Sequence, residues 1–230
     1  LEAANRELES FAYTVSHDLR APLRSIEAFS KAIEEEKAGI LDDAGKDYLR
    51  RVRASTSHMS QLIEAMLRLS RITRGELNRS TIDLSALAKN IADELKKDEP
   101  GRRVEFVIAD GLFAEGDPAM LRAVLENLIR NSWKFTGNRV KSTIEFGTCR
   151  KDGKTVFFVR DDGAGFDMNH ASRMFMPFQR LHQATEFPGI GIGLATVQRI
   201  INRHGGAIWA EGEVGKGATF YFTLPIGKAN

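Results

Sequence analysis

Long apolar runs are missing from this chain: nowhere do its 230 residues hold the eighteen or so consecutive apolar residues that a membrane span needs, which predicts no direct membrane insertion. Cysteine is almost absent. The single Cys149 excludes an internal disulfide and, with no signal peptide in view, predicts a reducing, cytoplasmic setting in which this residue is a small buried apolar group of a strand. An excess of one charge is lacking too. Thirty-three Lys and Arg against 31 Asp and Glu leave +2, spread along the chain, so no nucleic-acid or membrane-surface footprint is expected. Nothing repeats internally. What remains, 42% hydrophobic and 28% charged residues, is ordinary for a soluble protein of one large domain or two modest ones.

The first third carries two long amphipathic helical patterns, from about Glu2 to Lys37 and from about Asp42 to Ile72. In the first, Leu8, Val15, Leu19, Ile26 and Ile33 form one apolar stripe, and His17 projects roughly opposite to it. The run Ser16-His17-Asp18-Leu19-Arg20-Ala21-Pro22-Leu23 therefore exposes an imidazole beside a carboxylate, an arrangement suited to modification. Pro22 removes the hydrogen bond to the carbonyl of Asp18 and predicts a bend there. In the second pattern Tyr48, Val52, Met59, Ile63, Met66 and Leu69 recur at bundle spacing, and Gly39 and Asp42-Asp43 sit where a turn belongs. Helices of about thirty residues reach roughly 45 Å. A hairpin that long cannot cover its own apolar stripe, which predicts a homodimer with a four-helix bundle; docking on the chain's second domain is the alternative. The chain opens at Leu1, already in helix-forming sequence, so an upstream part is expected to be missing.

The character changes near residues 73 to 83, predicting domains over 1–75 and 76–230. The second reads as α/β. Helices are expected over Ser85 to Lys97, from Asp117-Pro118 to about Phe135, and over Ile192 to His204, with Gly205-Gly206 as the stop. Strands are expected over Val104 to Ala109, Ser142 to Arg150, Thr155 to Asp161, Ala207 to Glu211 and Ala218 to Leu224. Lys151-Asp152-Gly153-Lys154 reads as a hairpin turn.

Three weak motifs carry candidate chemistry. Asn127, Asn131 and Lys134 share a polar helix face at i, i+4 and i+7. There Asn131 could offer a carbonyl oxygen to Mg²⁺, which takes few protein ligands, and Lys134 a point charge to phosphate. Alone, such a face also reads as solvated surface. Asp161-Asp162-Gly163-Ala164-Gly165-Phe166 follows a strand, placing a carboxylate where it could accept from the exocyclic amine of a purine, or forming an ordinary turn. Gly189-Ile190-Gly191-Ile192-Gly193-Leu194 opens a helix whose bare amides could cradle phosphates. No strand or βαβ unit frames it as a dinucleotide fingerprint.

Taken in order, S-H-D-x-x-x-P-L, N-x-x-x-N-x-x-K-F, D-x-G-x-G-F, M-F-x-P-F, G-x-G-x-G-L and G-x-G-A-T-F resemble the sensor histidine kinases of two-component signalling over almost the whole chain. Phe178-Gln179-Arg180-Leu181-His182 is similar to the branch with phytochrome or PAS sensors upstream. The resemblance implies an α+β, two-domain protein: an antiparallel helical hairpin forming a dimeric four-helix bundle, then an α/β sandwich of the Bergerat ATP-binding type. It implies His17 as phosphoacceptor with Asp18 as its partner. It further implies ATP and Mg²⁺ held by Asn127, Asn131 (the metal ligand), Lys134, Phe135, Asp161, Gly163, Gly165, Gly189, Gly191, Gly193, Leu194 and Thr219. A lid over about Arg173 to Pro188 is implied as well, with Arg180 near the phosphates and Phe175 and Phe178 as its aromatic box. A response-regulator receiver domain is the implied partner. Asp162 and Ile190 depart from the family pattern. So does Ala21, where a hydrogen-bonding residue positions water in many relatives. Gyrase-like, heat-shock and mismatch-repair ATPases place a catalytic glutamate where this chain has Asn127. A non-enzymatic dimeric scaffold is the third reading. His58, His170, His182 and His204 are expected to be surface or structural residues.

Overall fold

The computed structural model describes residues 2–36, 39–71, 77–179, 181, 186–187 and 189–225; the side chains of 2–17, 65 and 68–71 lie outside that description. The chain divides into two compact units, Leu1–Arg74 and Gly75–Asn230.

In the first unit α1 (Glu2–Glu36) and α2 (Asp43–Arg71) form a helical hairpin. Asp42 caps α2, its Oδ1 accepting the Gly45 amide at 2.8 Å. Helix α1 is continuous through Pro22, so the hydrogen bond this residue forgoes does not end it. The hairpin closes on Leu23, Ser30, Thr56 and Leu67, all buried. Thr56 tolerates this because its hydroxyl donates to the Val52 carbonyl at 2.9 Å. An ion pair between Arg53 and Glu34 joins the two helices farther out. The stripe read from the sequence lies elsewhere: Leu19, Ile26 and Ile33 on α1, and Tyr48, Val52, Met59 and Met66 on α2, all stay exposed. Leu8, Val15 and Leu69 fall outside the described side chains.

The second unit is built on a mixed sheet. Strands β2 (Val104–Ile108), β4 (Ser142–Lys151), β5 (Lys154–Asp161), β6 (Ile208–Glu213) and β7 (Gly217–Phe222) lie in the order β2-β4-β5-β7-β6, with β2 parallel to β4 and every other pair antiparallel. Helices α3 (Leu84–Asp98), α4 (Pro118–Phe135) and α5 (Gly193–Arg203) pack on one face. Alternation along the strands sends Ile144, Phe146, Phe157 and Phe222 into that core, to meet Leu121, Leu125, Leu128, Ile129, Ile200 and Ile201. On the other face Val156, Phe158 and Tyr221 cluster with half-buried Cys149 and Trp209. Asp83 caps α3 through the Ala86 amide, and Asp117 caps α4 through the Ala119 and Met120 amides, with Pro118 in the first turn. Asp152 (φ 50) and Gly153 (φ 75) turn the β4–β5 hairpin, the paired positive φ angles of a two-residue loop.

Two elements depart from the sequence reading. Ser80–Asp83 (β1) and Phe113–Gly116 (β3) pair antiparallel as a separate two-stranded sheet. Four residues each, they are too short for an alternating pattern to register, and their pairing across thirty-odd residues of chain stabilises them.

Candidate functional site

Helix α4 presents Asn127, Asn131 and Lys134 on one half-buried face while Leu121, Val124, Leu125, Leu128 and Ile129 fill the core. The Asn127 amide nitrogen donates to the Ala123 carbonyl at 2.7 Å. Its Oδ1 then faces the start of α5 so closely that a Cβ on Gly193 would lie 2.7 Å from it. A side chain there would push the amide aside. At the other end of the face, Lys134 Nζ lies 4.1 Å from the centroid of the Phe135 ring and would sit 3.5 Å from a Cβ on Gly189. The structure thus brings Asn127 and Lys134 to the two ends of the loop 189–193, which leads through Gly191 into Gly193 and Leu194 at the start of α5. The amide of Phe178 donates to the Gly191 carbonyl at 2.9 Å. Phe178 holds φ 63 there, a left-handed conformation rare for an aromatic residue.

Asp161 ends β5 pointing at α4 and is 4% exposed. Its Oδ1 accepts the Gly163 amide and its Oδ2 the Ser132 hydroxyl, both at 2.9 Å. Burial raises its pKa above the ordinary carboxylate range. The hydrogen bonds from Gly163, Ser132 and Ala218 pull it back, and the neighbouring Asp162 pushes it up. The turn beyond is locked to its surroundings. The Ala164 amide donates to the carbonyl of Phe135 at 3.0 Å and the Gly215 amide to the Ala164 carbonyl at 2.7 Å. Gly165 (φ 63) lies where a Cβ would meet the Glu213 carbonyl oxygen at 1.9 Å.

Several residues of this neighbourhood escaped the sequence reading. Ser132 sits on the buried side of α4, where an isolated serine carries no pattern. Arg139 donates from one Nη2 to the carbonyls of Gly215 (2.7 Å) and Gly163 (3.4 Å), tying two glycine turns together. Phe187, 3% exposed, meets the Phe135 ring edge-on at 5.0 Å. Thr219 is not brought to Asp161: strand register sets it opposite Arg160, whose Nε donates to the threonine hydroxyl at 3.3 Å on the other face of the sheet. Ala218 occupies the position facing Asp161.

A 3-10 helix at Met168–Arg173, capped by Asp167, leads into the stretch implied as a lid, in which Phe175 is half-buried and Phe178 is 48% exposed. Arg180 and His182 lie outside the described residues, as does the side chain of His17. Asp18 and Ala21 are exposed on α1. His58 and His170 are exposed, and His204 is buried. Among the described residues no three His, Cys, Asp or Glu side chains gather to hold a metal. A single amide such as Asn131 therefore fits only an ion coordinated mainly by phosphate and water, as Mg²⁺ is.

Residues 7–75 match the model of the His Kinase A (phospho-acceptor) domain. Residues 116–228 match that of the histidine kinase-, DNA gyrase B- and HSP90-like ATPase. Cyanobacterial phytochrome B of Nostoc sp. is 37% identical over 227 residues, 97% of this chain and 30% of the relative. Sensor protein kinase WalK of Staphylococcus aureus is 28% identical, over 97% of this chain and 55% of the relative. The crystal structure of full-length ShkA in complex with AMPPNP superposes with a TM-score of 0.67 at 27% identity, covering 96% of this chain and 46% of that one. The chain thus spans about a third of that phytochrome and about half of that WalK and of that ShkA chain.

Proposed function

Because the chain belongs to the sensor histidine kinases of two-component signalling, with relatives in their phytochrome-linked branch, we propose that it transfers the γ-phosphoryl group of ATP to His17 and from there to an aspartate of a response-regulator receiver domain. Residues 1–75 are the dimerisation and phosphoacceptor domain, and 76–230 the catalytic ATP-binding domain. The observation that carries this reading is the convergence of Asn127 and Lys134 on the glycine loop 189–193, on the helix whose end also binds the turn after Asp161.

A nitrogen of the His17 ring attacks the γ-phosphorus in line, the bond to the β–γ bridging oxygen breaks, and ADP leaves. Asp18 orients the ring and accepts its proton. Lys134 and the amides of 189–194 offset the charge of the phosphates. Asp161 accepts from the exocyclic amine of adenine, and Gly163 and Gly165 let the backbone turn beside the base. Asn131 would hold Mg²⁺, which when bound neutralises phosphate charge. Arg180 acts from the lid. Ala21 offers no side-chain hydrogen bond to a hydrolytic water, which favours kinase over phosphatase activity.

The exposed apolar stripes of α1 and α2 support a homodimer closing a four-helix bundle. No described helix is long and apolar enough to cross a membrane, and we assign the chain to the cytoplasm beside an upstream sensory domain. A gyrase-like ATPase is disfavoured, since Asn127 is an amide whose nitrogen is committed to Ala123 and not a base able to activate water. Incubation with γ-labelled ATP and Mg²⁺ tests the reading. Acid-labile, alkali-stable label should appear on the parent chain and vanish in His17→Gln with nucleotide binding retained. Label persisting in the variant would move the acceptor elsewhere.

A further inference from the structure

The carboxylate of Asp161 takes hydrogen bonds from two sides, the Gly163 amide in its own turn and the Ser132 hydroxyl on α4, each at 2.9 Å, and Ala218 of β7 lies opposite it. An ionised carboxylate offers about four lone-pair positions, so positions remain for a ligand. The Gly163 amide is a backbone group, set by the fold whatever the side chains; Ser132 is the donor that a side chain supplies. Strand β7 offers no substitute, because position 218 is alanine and the Thr219 hydroxyl lies across the sheet with Arg160. Ser132 is itself fully buried and lies between Asn131 and Lys134. One helix therefore orients the carboxylate and presents the polar face.

Building on the assignment of Asp161 as acceptor for adenine, we propose that Ser132 is a positioning residue for base recognition, its hydroxyl turning the Asp161 carboxylate so that a remaining lone pair meets a 6-amino group and not a 6-oxo group. A 6-oxopurine sets a carbonyl oxygen against the carboxylate, acceptor facing acceptor, with no hydrogen to share. Ser132 also acts on the proton. Burial and Asp162 favour the protonated carboxyl, while the hydroxyl favours the carboxylate. Asp162 is the charged neighbour acting on the group; Ser132 from α4, Ala218 from β7 and Gly163 from the turn are uncharged. Without the hydroxyl the carboxyl's pKa rises further. The acceptor form is then lost at a higher pH as acid is added.

The test is calorimetric titration of the whole chain with ADP and with inosine diphosphate, from neutral to mildly acid pH. In Ser132→Ala the ADP affinity should fall about tenfold, the scale of one hydrogen bond to a charged group, and its acid midpoint should move to higher pH. Inosine diphosphate should change by less than about twofold, because its base makes no bond to the carboxylate. Ser132→Cys, a weaker donor of similar size, should fall between. Equal weakening of both nucleotides with an unmoved midpoint would mean that Ser132 only packs, and would overturn the proposal. An unchanged ADP affinity would overturn it too. A parent chain that binds neither nucleotide would instead remove the ATP-site reading, and this proposal with it.

Discussion

His204→Leu severs a link between the end of α5 and the start of α4, and its cost can be worked bond by bond. The buried ring pairs through Nδ1 with the Ile200 carbonyl at 2.8 Å, and Nε2 accepts the Asp117 amide at 3.0 Å, which fixes Nδ1 as the protonated nitrogen. Leucine fills most of the space, so water does not replace the lost acceptor. The Ile200 carbonyl keeps the backbone amide of residue 204, at 3.1 Å, so losing the ring costs about 1 kcal/mol there. The Asp117 amide loses its acceptor outright, at about 1–3 kcal/mol. The sum of about 2–4 kcal/mol lowers the melting temperature of a unit this size by roughly 5–15 °C. Both tryptophans, Trp133 and Trp209, lie in the second unit, so fluorescence-detected melting of the whole chain reports that unit alone. His204→Gln, which keeps a donor and an acceptor, should lose about half as much. A His204→Leu melting temperature within about 2 °C of the parent would refute the assignment of the two bonds.

Gly165→Ala should cost more than about 3 kcal/mol and abolish nucleotide binding, because its Cβ would drive against the Glu213 carbonyl and φ is left-handed; a variant that melts and binds like the parent would contradict the interlocked turns. The parent chain should sediment as a dimer at micromolar concentration and Ile26→Glu, on the exposed stripe, as a monomer. A monomeric parent would remove the bundle.

Much of the fold was legible because its signals are local. The cap Asp117, the 3.6-residue periodicity of α4 and α5 and the Asp152-Gly153 turn act within a few residues of where they stand, and they locate the major elements to within a few residues. The polar face of Asn127, Asn131 and Lys134 follows from the same periodicity. Short strands β1 and β3 carry no such signal and exist through each other. On α1 the periodicity identified an apolar stripe, yet the hairpin closes on Leu23 and Ser30 and leaves that stripe outside, because two helices bury only the seam between them.

The site divides along the same line. Residue types at fixed spacing, from Asp161-Asp162-Gly163 to Gly189-Ile190-Gly191, are covalent neighbours, so the sequence by itself determined which backbone turns and polar groups this protein offers. Tertiary structure alone decided their partners. Register across β5 and β7 sends Thr219 to Arg160 and leaves Ala218 facing Asp161. Packing of α4 against β5 puts Ser132 on the carboxylate, and a turn more than seventy residues away gives Arg139 its carbonyl. A hydrogen bond depends on distance and angle to within a few tenths of an ångström, and between residues far apart in the chain only the packed fold sets both.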